Sequence, residues 1–425
     1  MAKEAREAQL ERGLELELEV GAIAGGGGCV ARAPDGKVVF VRHSLPGERV
    51  RARVTAETSS YLRADAVEVV RASPDRVAPP CPHAGPGRCG GCDFQHVELG
   101  AQRRLKEARI TELLGQLARI ERRVEVEPVP GDAEGLGWRT RLRLAVDRNG
   151  VVGFHRHRSR LLEHLDDCLV AHPAVADTGA LRTRWPGASG LEVVAGTAPG
   201  DALVAVTPRG RGTPHLPEVD AGLVVRAKVR REPGAVHATV RDRTYRISAG
   251  VFWQAHVGAA EALLGAVLAA AGNGIGTGSA AVDLYAGAGL FSVPLAAAVG
   301  PSGSVLAIER DPRACADARH NAVGLLNLRV EQAEVTPELV ASGIGRPAVV
   351  LLDPARAGAG LGVMRALAAH GPTLRRIVYV SCDAASFSRD IRALMDEGWN
   401  IASLRAFDIF PMTEHVELVG ALDPP

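Results

Sequence analysis

Aromatic residues make up only 4 % of this 425-residue chain, and lysine occurs only at positions 3, 37, 106 and 228 among 50 basic residues. No apolar run is long enough to cross a bilayer, which excludes a helical membrane span. The chain opens Met1-Ala2-Lys3-Glu4-Ala5-Arg6, charged and without an apolar leader core, so the cytoplasm is the expected location. A large charge of one sign is missing as well. The formal net charge is +1, and the overall electrostatics announce no nucleic-acid partner. Cysteine is sparse and odd in number, at 29, 81, 89, 92, 168, 315 and 382. Such a set does not build a disulfide framework, which leaves metal ligand, nucleophile or buried filler as its uses. Nothing in the composition implies an obligate protein partner.

What is present reads as a soluble, globular, multidomain α/β chain, with 46 % apolar and 23 % charged residues. The first dozen residues suggest a charged, frayed helix. Leu14 to Val20 alternates with period two, as a half-buried strand does. Asp35-Gly36 signals a hairpin, Pro46-Gly47 a second turn, and Val38–Val41 and Val50–Val54 supply further strands. About five short strands in sixty residues predict a small barrel of the oligonucleotide-binding kind over 10–72. A middle α+β domain is expected over 73–245, with its helical segment 98–123 a candidate to pack on the last domain. From 246 to 425, strands alternate with Ala-rich helices, the rhythm of a doubly wound, Rossmann-like parallel sheet.

In that last region Ala280–Leu284 is an apolar strand carrying Asp283, followed by Tyr285-Ala286-Gly287-Ala288-Gly289. The next strand ends in Glu309, an acid placed to accept hydrogen bonds from two ribose hydroxyls. Together they point to a cofactor containing adenosine. Ser292 stands where a dinucleotide fingerprint wants Gly or Ala, which disfavours a nicotinamide oxidoreductase. Two later strands end in Asp353-Pro354-Ala355-Arg356 and in Cys382. If the final strand runs antiparallel, Glu417 faces the same crevice. A thiol and a carboxylate so placed suit methylation of a pyrimidine at carbon 5. The thiolate adds to carbon 6 and activates carbon 5, and a general base then removes the carbon 5 proton.

Cys81 and the pair Cys89-Gly90-Gly91-Cys92, with distant Cys168 as a fourth ligand, suit either zinc or an iron–sulfur cluster by ligand type. Trp138 to Arg160 holds seven Arg and two His against one acid, Asp147. On a strand, Arg139, Arg141 and Arg143 share one face, which suggests phosphate contact.

These motifs taken together resemble the uracil-C5 RNA methyltransferases, whose members use S-adenosylmethionine to methylate a uridine in tRNA or 23S ribosomal RNA. The resemblance covers nearly the whole chain. It implies that the N-terminal strands are an RNA-binding TRAM domain and that Gln254, in Phe252-Trp253-Gln254, contacts the cofactor. It implies that Tyr285, Glu309 and Asp353 line the cofactor site, with Cys382 as nucleophile and Glu417 as base. The nucleophile is followed by Asp383-Ala384 where the family usually has Asn-Pro, and Leu290 stands where the glycine turn often carries Asn. Members of the ribosomal type carry a [4Fe-4S] cluster on a similar cysteine pattern. The resemblance therefore favours iron–sulfur over zinc on Cys81, Cys89, Cys92 and Cys168, and 23S rRNA over tRNA. The alternatives are methylation of another base through an exocyclic amine, DNA cytosine methylation, and an inactive RNA-binding metalloprotein. They fit less well, because Ala355 breaks the amine-type motif, Cys382 lies late in the chain, and Cys382 and Glu417 are both present.

Overall fold

The computed structural model describes residues 13–370 and 373–425, so the expected N-terminal helix lies outside the described residues. The described chain forms two compact units. The first comprises the residues up to Arg109 with Gly153–Cys168 and Phe410–Glu414, and the second the remainder.

In the first unit, strands Glu15–Glu19, Cys29–Arg32, Val38–Arg42, Arg49–Glu57 and Tyr61–Arg71 form one sheet in the order first, fourth, fifth, third, second. Period-two alternation sends Leu18, Val39, Val41, Val50, Ala52, Leu62 and Ala64 into a common core with Phe94 and Val97. The outward residues of the first and fourth strands are charged, and the register sets Glu15, Glu17 and Glu19 opposite Arg53, Arg51 and Arg49. Exposed pairs of this kind contribute roughly 0–1 kcal/mol each, so burial rather than the charge ladder holds the strands. A hairpin of Val152–His155 and Leu162–His164 supplies the Gly153–Cys168 segment of this unit.

The second unit contains two parts. Strands Arg141–Val146, Ala188–Ala195, Ala202–Pro208, Gly222–Val225 and Lys228–Arg231 lie side by side. An eight-stranded sheet follows in the order Leu328–Gln332, Ser304–Glu309, Ala280–Leu284, Val349–Leu352, Arg376–Ser381, Glu417–Asp423, Asn400–Asp408, Val126–Pro128. Its first five strands are parallel and rich in Val, Ile and Leu because both faces are covered. Glu417–Asp423 is antiparallel to Arg376–Ser381, as expected for the final strand. The edge strand Val126–Pro128 comes from far earlier in the chain and pairs parallel with Ala406–Asp408. Ile110, Leu113, Leu114 and Ala118, at the end of the long helical segment, are buried in the core of this sheet beside Ile391 and Leu394. The strand order reverses between Ala280–Leu284 and Val349–Leu352, and a crevice opens at the carboxyl ends of strands on either side of such a switch. Among the described residues, no helix is long and apolar enough to cross a membrane.

Candidate active site

The crevice is built by chain reversals directly after the strands. Tyr285 takes φ +65°, turning the backbone out of Ala280–Leu284. The Gly287 amide then donates to Glu309 Oε2 at 3.0 Å, while the Asp311 amide donates to Glu309 Oε1 at 2.7 Å. Glu309 is thereby fixed between two loops. Asp283 is fully buried, and burial pushes its carboxyl up to about 7, opposed by the Ser292 hydroxyl, which donates to it, and raised further by Glu309. Ser292, which spoils a dinucleotide fingerprint, thus caps this acid. The other Asp283 oxygen is buried without a hydrogen-bond partner. An acceptor left open in a crevice with Glu309 and Tyr285 fits the hydroxyl and amine donors of an adenosine cofactor. Gln254 is buried and lines a small cleft with Thr140, Ala195 and His256, to which the crevice residues do not contribute.

On the other side of the switch, Ser381 pairs with Leu418, and continuing that register sets Cys382 opposite Glu417. Burial pushes the Cys382 thiol up to about 12; Glu417 and Asp353 add to the rise, Arg356 opposes it, and Asp383 adds a smaller contribution. Glu417 is 3 % exposed, and burial followed by the Asp353 charge holds its carboxyl well above the usual range, again opposed by Arg356. Asp353 is raised to about 7 by burial and by Asp283. Burial and the neighbouring carboxylates thus disfavour the anionic form of both Cys382 and Glu417, and Arg356 is the cation that favours ionising each. In the sequence Arg356 stands out only as part of the Asp353-Pro354-Ala355-Arg356 motif. Its signal was its position three residues after Asp353, on the loop that leaves the strand.

That loop is tied to the helix that begins beside Cys382. Asp383 caps Ala384–Met395 by accepting from the Ser386 amide at 2.7 Å. The Ser386 hydroxyl donates to the Arg356 carbonyl at 2.9 Å. One turn on, Asp390 Oδ2 accepts from the Ala359 amide at 2.8 Å, the Gly360 amide at 3.2 Å and the Tyr379 hydroxyl at 2.6 Å. Gly358 between them has φ +83°, and a Cβ there would lie 2.4 Å from Asp390 Oδ2. Only glycine allows the loop to pass this close.

The expected phosphate face of Arg139, Arg141 and Arg143 requires correction. Arg141 is 8 % exposed, donates to Glu192 at 3.0 Å and also reaches the Val251 carbonyl. Burial would raise the Glu192 carboxyl, but Arg141 and Arg143 overcome it and hold it below the usual range. Arg141 is a structural cation, because its guanidinium is desolvated against a carboxylate. Arg139 donates to the Arg141 carbonyl and lies 5.8 Å from the Trp138 ring, and only Arg143 projects into solvent.

Cys81, Cys89, Cys92 and Cys168 all belong to the first unit, form no disulfide and are half-buried. Burial pushes the Cys92 thiol up to about 12; the Gln95 amide, which donates to it, opposes this, and Cys168, Cys89 and Asp93 add to it. The Gly91 amide donates to Cys89 Sγ at 3.4 Å. His83, Arg88 and Arg156 converge on Glu163 and brace the cysteine loop to the hairpin. Among the described residues, no group of three or more His, Cys, Asp or Glu is arranged to hold a metal ion. Donor type fits a thiolate-bound metal, while the thiols are not drawn into a coordination sphere.

Residues 9–67 match the TRAM domain family. An RNA methyltransferase of Streptomyces coelicolor is 45 % identical, with 97 % of this chain and 93 % of that protein covered. The 23S rRNA (uracil(1939)-C(5))-methyltransferase RlmD of Halomonas elongata is 32 % identical over 96 % of this chain and 89 % of that protein. The Pyrococcus abyssi tRNA (uracil-54, C5)-methyltransferase, solved with S-adenosyl-L-homocysteine, has the same fold. It aligns with a TM-score of 0.71 at 24 % identity, over 95 % of this chain and 99 % of that one. A TRAM domain joined to a switch-point crevice, in a chain this close to such relatives along its length, belongs to the uracil-C5 RNA methyltransferases, which are dependent on S-adenosylmethionine.

Proposed function

We propose that this enzyme forms 5-methyluridine in 23S ribosomal RNA, in the cytoplasm, with Cys382 as nucleophile and Glu417 as base. The carrying observation is the register that sets Cys382 opposite Glu417, with both groups sensing Arg356. S-adenosylmethionine supplies an electrophilic methyl group, and Gln254, Tyr285, Glu309 and Asp353 are the residues proposed to hold it. The Cys382 thiol gives its proton to solvent, and the thiolate bonds to carbon 6 of the uracil as the carbon 5–carbon 6 π bond opens into an enolate with electron density on carbon 5. After carbon 5 is methylated, Glu417 takes its proton and the carbon–sulfur bond breaks, which restores the ring and frees the thiolate. A carboxyl held above its usual range is the stronger base once ionised, which suits removal of a proton from carbon. Arg356 stabilises both anionic forms.

The barrel over 10–72 and the cysteine-bearing segment 73–245 serve RNA binding, and 246–425 the chemistry. Cys81, Cys89, Cys92 and Cys168 are proposed to hold a [4Fe-4S] cluster with a structural role, zinc being the alternative.

RNA substituted with 5-fluorouridine tests the reading, since fluorine cannot leave carbon 5 as a proton. A denaturation-resistant adduct with a 23S fragment, absent in Cys382→Ala, is expected. Glu417→Gln should accumulate a methylated adduct even on ordinary RNA. Adduct formation with tRNA alone would move the substrate to tRNA. No adduct with either, despite bound S-adenosylmethionine, would overturn the mechanism.

A further inference from the structure

The barrel residues 13–72 contain two aromatic rings, Phe40 and Tyr61, in a chain where aromatics are scarce. Neither is in the core. Their neighbours Val39, Val41 and Leu62 point inward, so period-two alternation turns Phe40 and Tyr61 outward, where both remain half-buried. The rings meet edge to face, with centroids 5.4 Å apart and planes at 79°. The Arg63 guanidinium lies 5.2 Å from the Tyr61 ring centre, and its Nη2 is 3.3 Å from the Tyr61 hydroxyl. The parallel register sets Phe40 beside Arg63, and the antiparallel one sets Val30 beside Phe40. Arg32 is exposed on the same outward row.

The two sides of the barrel differ in charge. On the first and fourth strands, glutamates face arginines in register, so that side neutralises itself. Of the acids near the aromatic side, Glu57 pairs with Lys37 at 2.7 Å, and Asp65 is half-buried, its carboxyl raised by burial against the opposing charge of Arg42. Cationic character continues into the hairpin of the same unit. Burial and the charges of Arg42, Arg158 and Arg63 push the His157 ring down to about 4, so these groups crowd together, with Arg158 exposed.

We propose that the outward face formed by Cys29–Arg32, Val38–Arg42 and the start of Tyr61–Arg71 binds a single-stranded segment of the substrate RNA. Phe40 and Tyr61 stack on bases, and Arg32, Arg63 and Arg158 take phosphates. A ring stacks on any base, whereas a self-paired charge ladder offers RNA neither a face nor a free cation. The neutral side of the barrel stays in solvent. This surface rests on the RNA methyltransferase reading and names the part of the barrel that serves it.

The test uses the full-length enzyme and a fluorescein-labelled 23S rRNA fragment, with Kd followed by anisotropy across a salt series. Phe40→Ala and Tyr61→Ala should each weaken binding roughly 10-fold, and the double variant about 100-fold. Tyr61→Phe keeps the ring and should bind within about 2-fold of wild type. Arg63→Ala should reduce the slope of log Kd against log salt by about one. Arg49→Ala, on the ladder side, should change neither quantity. Melting temperature and S-adenosylmethionine binding should match wild type throughout. Cross-linking of 4-thiouridine RNA to the wild-type protein, read as modified Phe40 or Tyr61 peptides, gives an independent readout that needs no variant. Wild-type affinity in the double variant, or cross-links confined to other strands, would overturn the surface while leaving the enzyme reading intact. A wild-type protein that neither binds nor methylates 23S or tRNA substrates would overturn that reading, and the surface with it.

Discussion

Ser386 and Asp390 stand one turn apart on the helix that starts beside Cys382, and together they hold both ends of the loop that follows Asp353. Ser386 takes the carbonyl of Arg356, and Asp390 takes the amides of Ala359 and Gly360. Residues four apart share a helix face, so one rigid element sets the distance between Cys382 and the cation that favours its ionisation.

Asp390→Asn removes the charge that gathers three donors on one oxygen. It is expected to lower kcat by about 10- to 100-fold, with the KM for S-adenosylmethionine within about 3-fold of wild type. Gly358→Ala should do the same by forcing the loop off Asp390. Steady-state kinetics together with thermal melting check both; equal losses in stability and in cofactor KM would assign Asp390 to the fold alone.

Cys382 is expected to be a neutral thiol in the free enzyme, since burial, Glu417 and Asp353 push it up to about 12. Its alkylation by iodoacetamide, followed by mass spectrometry of the Cys382 peptide, should rise about 10-fold per pH unit between pH 7 and 10. Arg356→Met removes a cation and should slow the reaction. Asp383→Asn removes an anion and should quicken it. Because the folded thiol lies above its ordinary value of 9.0, its contribution to stability is present below pH 9 and lost as pH rises toward 12.

Arg141 and Arg143 both meet Glu192, yet they should differ widely in stability. Arg141→Ala strands a buried carboxylate and is expected to cost about 3–5 kcal/mol, whereas Arg143→Ala, with its side chain 75 % exposed, should cost about 1 kcal/mol or less. The Glu192 carboxyl is depressed, so its contribution is present above its ordinary pKa of 4.5 and lost as pH falls through the folded value. Urea titrations at pH 7 and pH 4 should show the Arg141→Ala deficit shrinking at the lower pH.

Anaerobically prepared protein should carry about four irons and four sulfides per chain, with absorption that is lost on replacing any of Cys81, Cys89, Cys92 or Cys168 by Ser. Metal analysis finding zinc instead, at about one per chain, would assign the thiols to a zinc site.

The strand-end placement of the candidate groups was legible along the chain because it depends on local pattern. An apolar run that stops at Glu309, Asp353 or Cys382 puts that side chain at a strand end, whatever the rest of the protein does. The alternation of Leu14 to Val20 and the Asp35-Gly36 turn identify barrel strands in the same way, since backbone geometry alone sets a period of two. Tertiary structure decided what depends on meeting a distant partner. Arg141 looked free until Glu192, 51 residues away, lay on the neighbouring strand. Ser292 spoiled one motif and proved to cap Asp283. Val126–Pro128 finds its partner in Asn400–Asp408, and Phe410–Glu414 joins the first unit, where Glu414 accepts the Gly26 and Gly27 amides. Side-chain periodicity reports which face of an element is buried but not what covers it, and the charge state of Cys382 and Glu417 follows from what covers them.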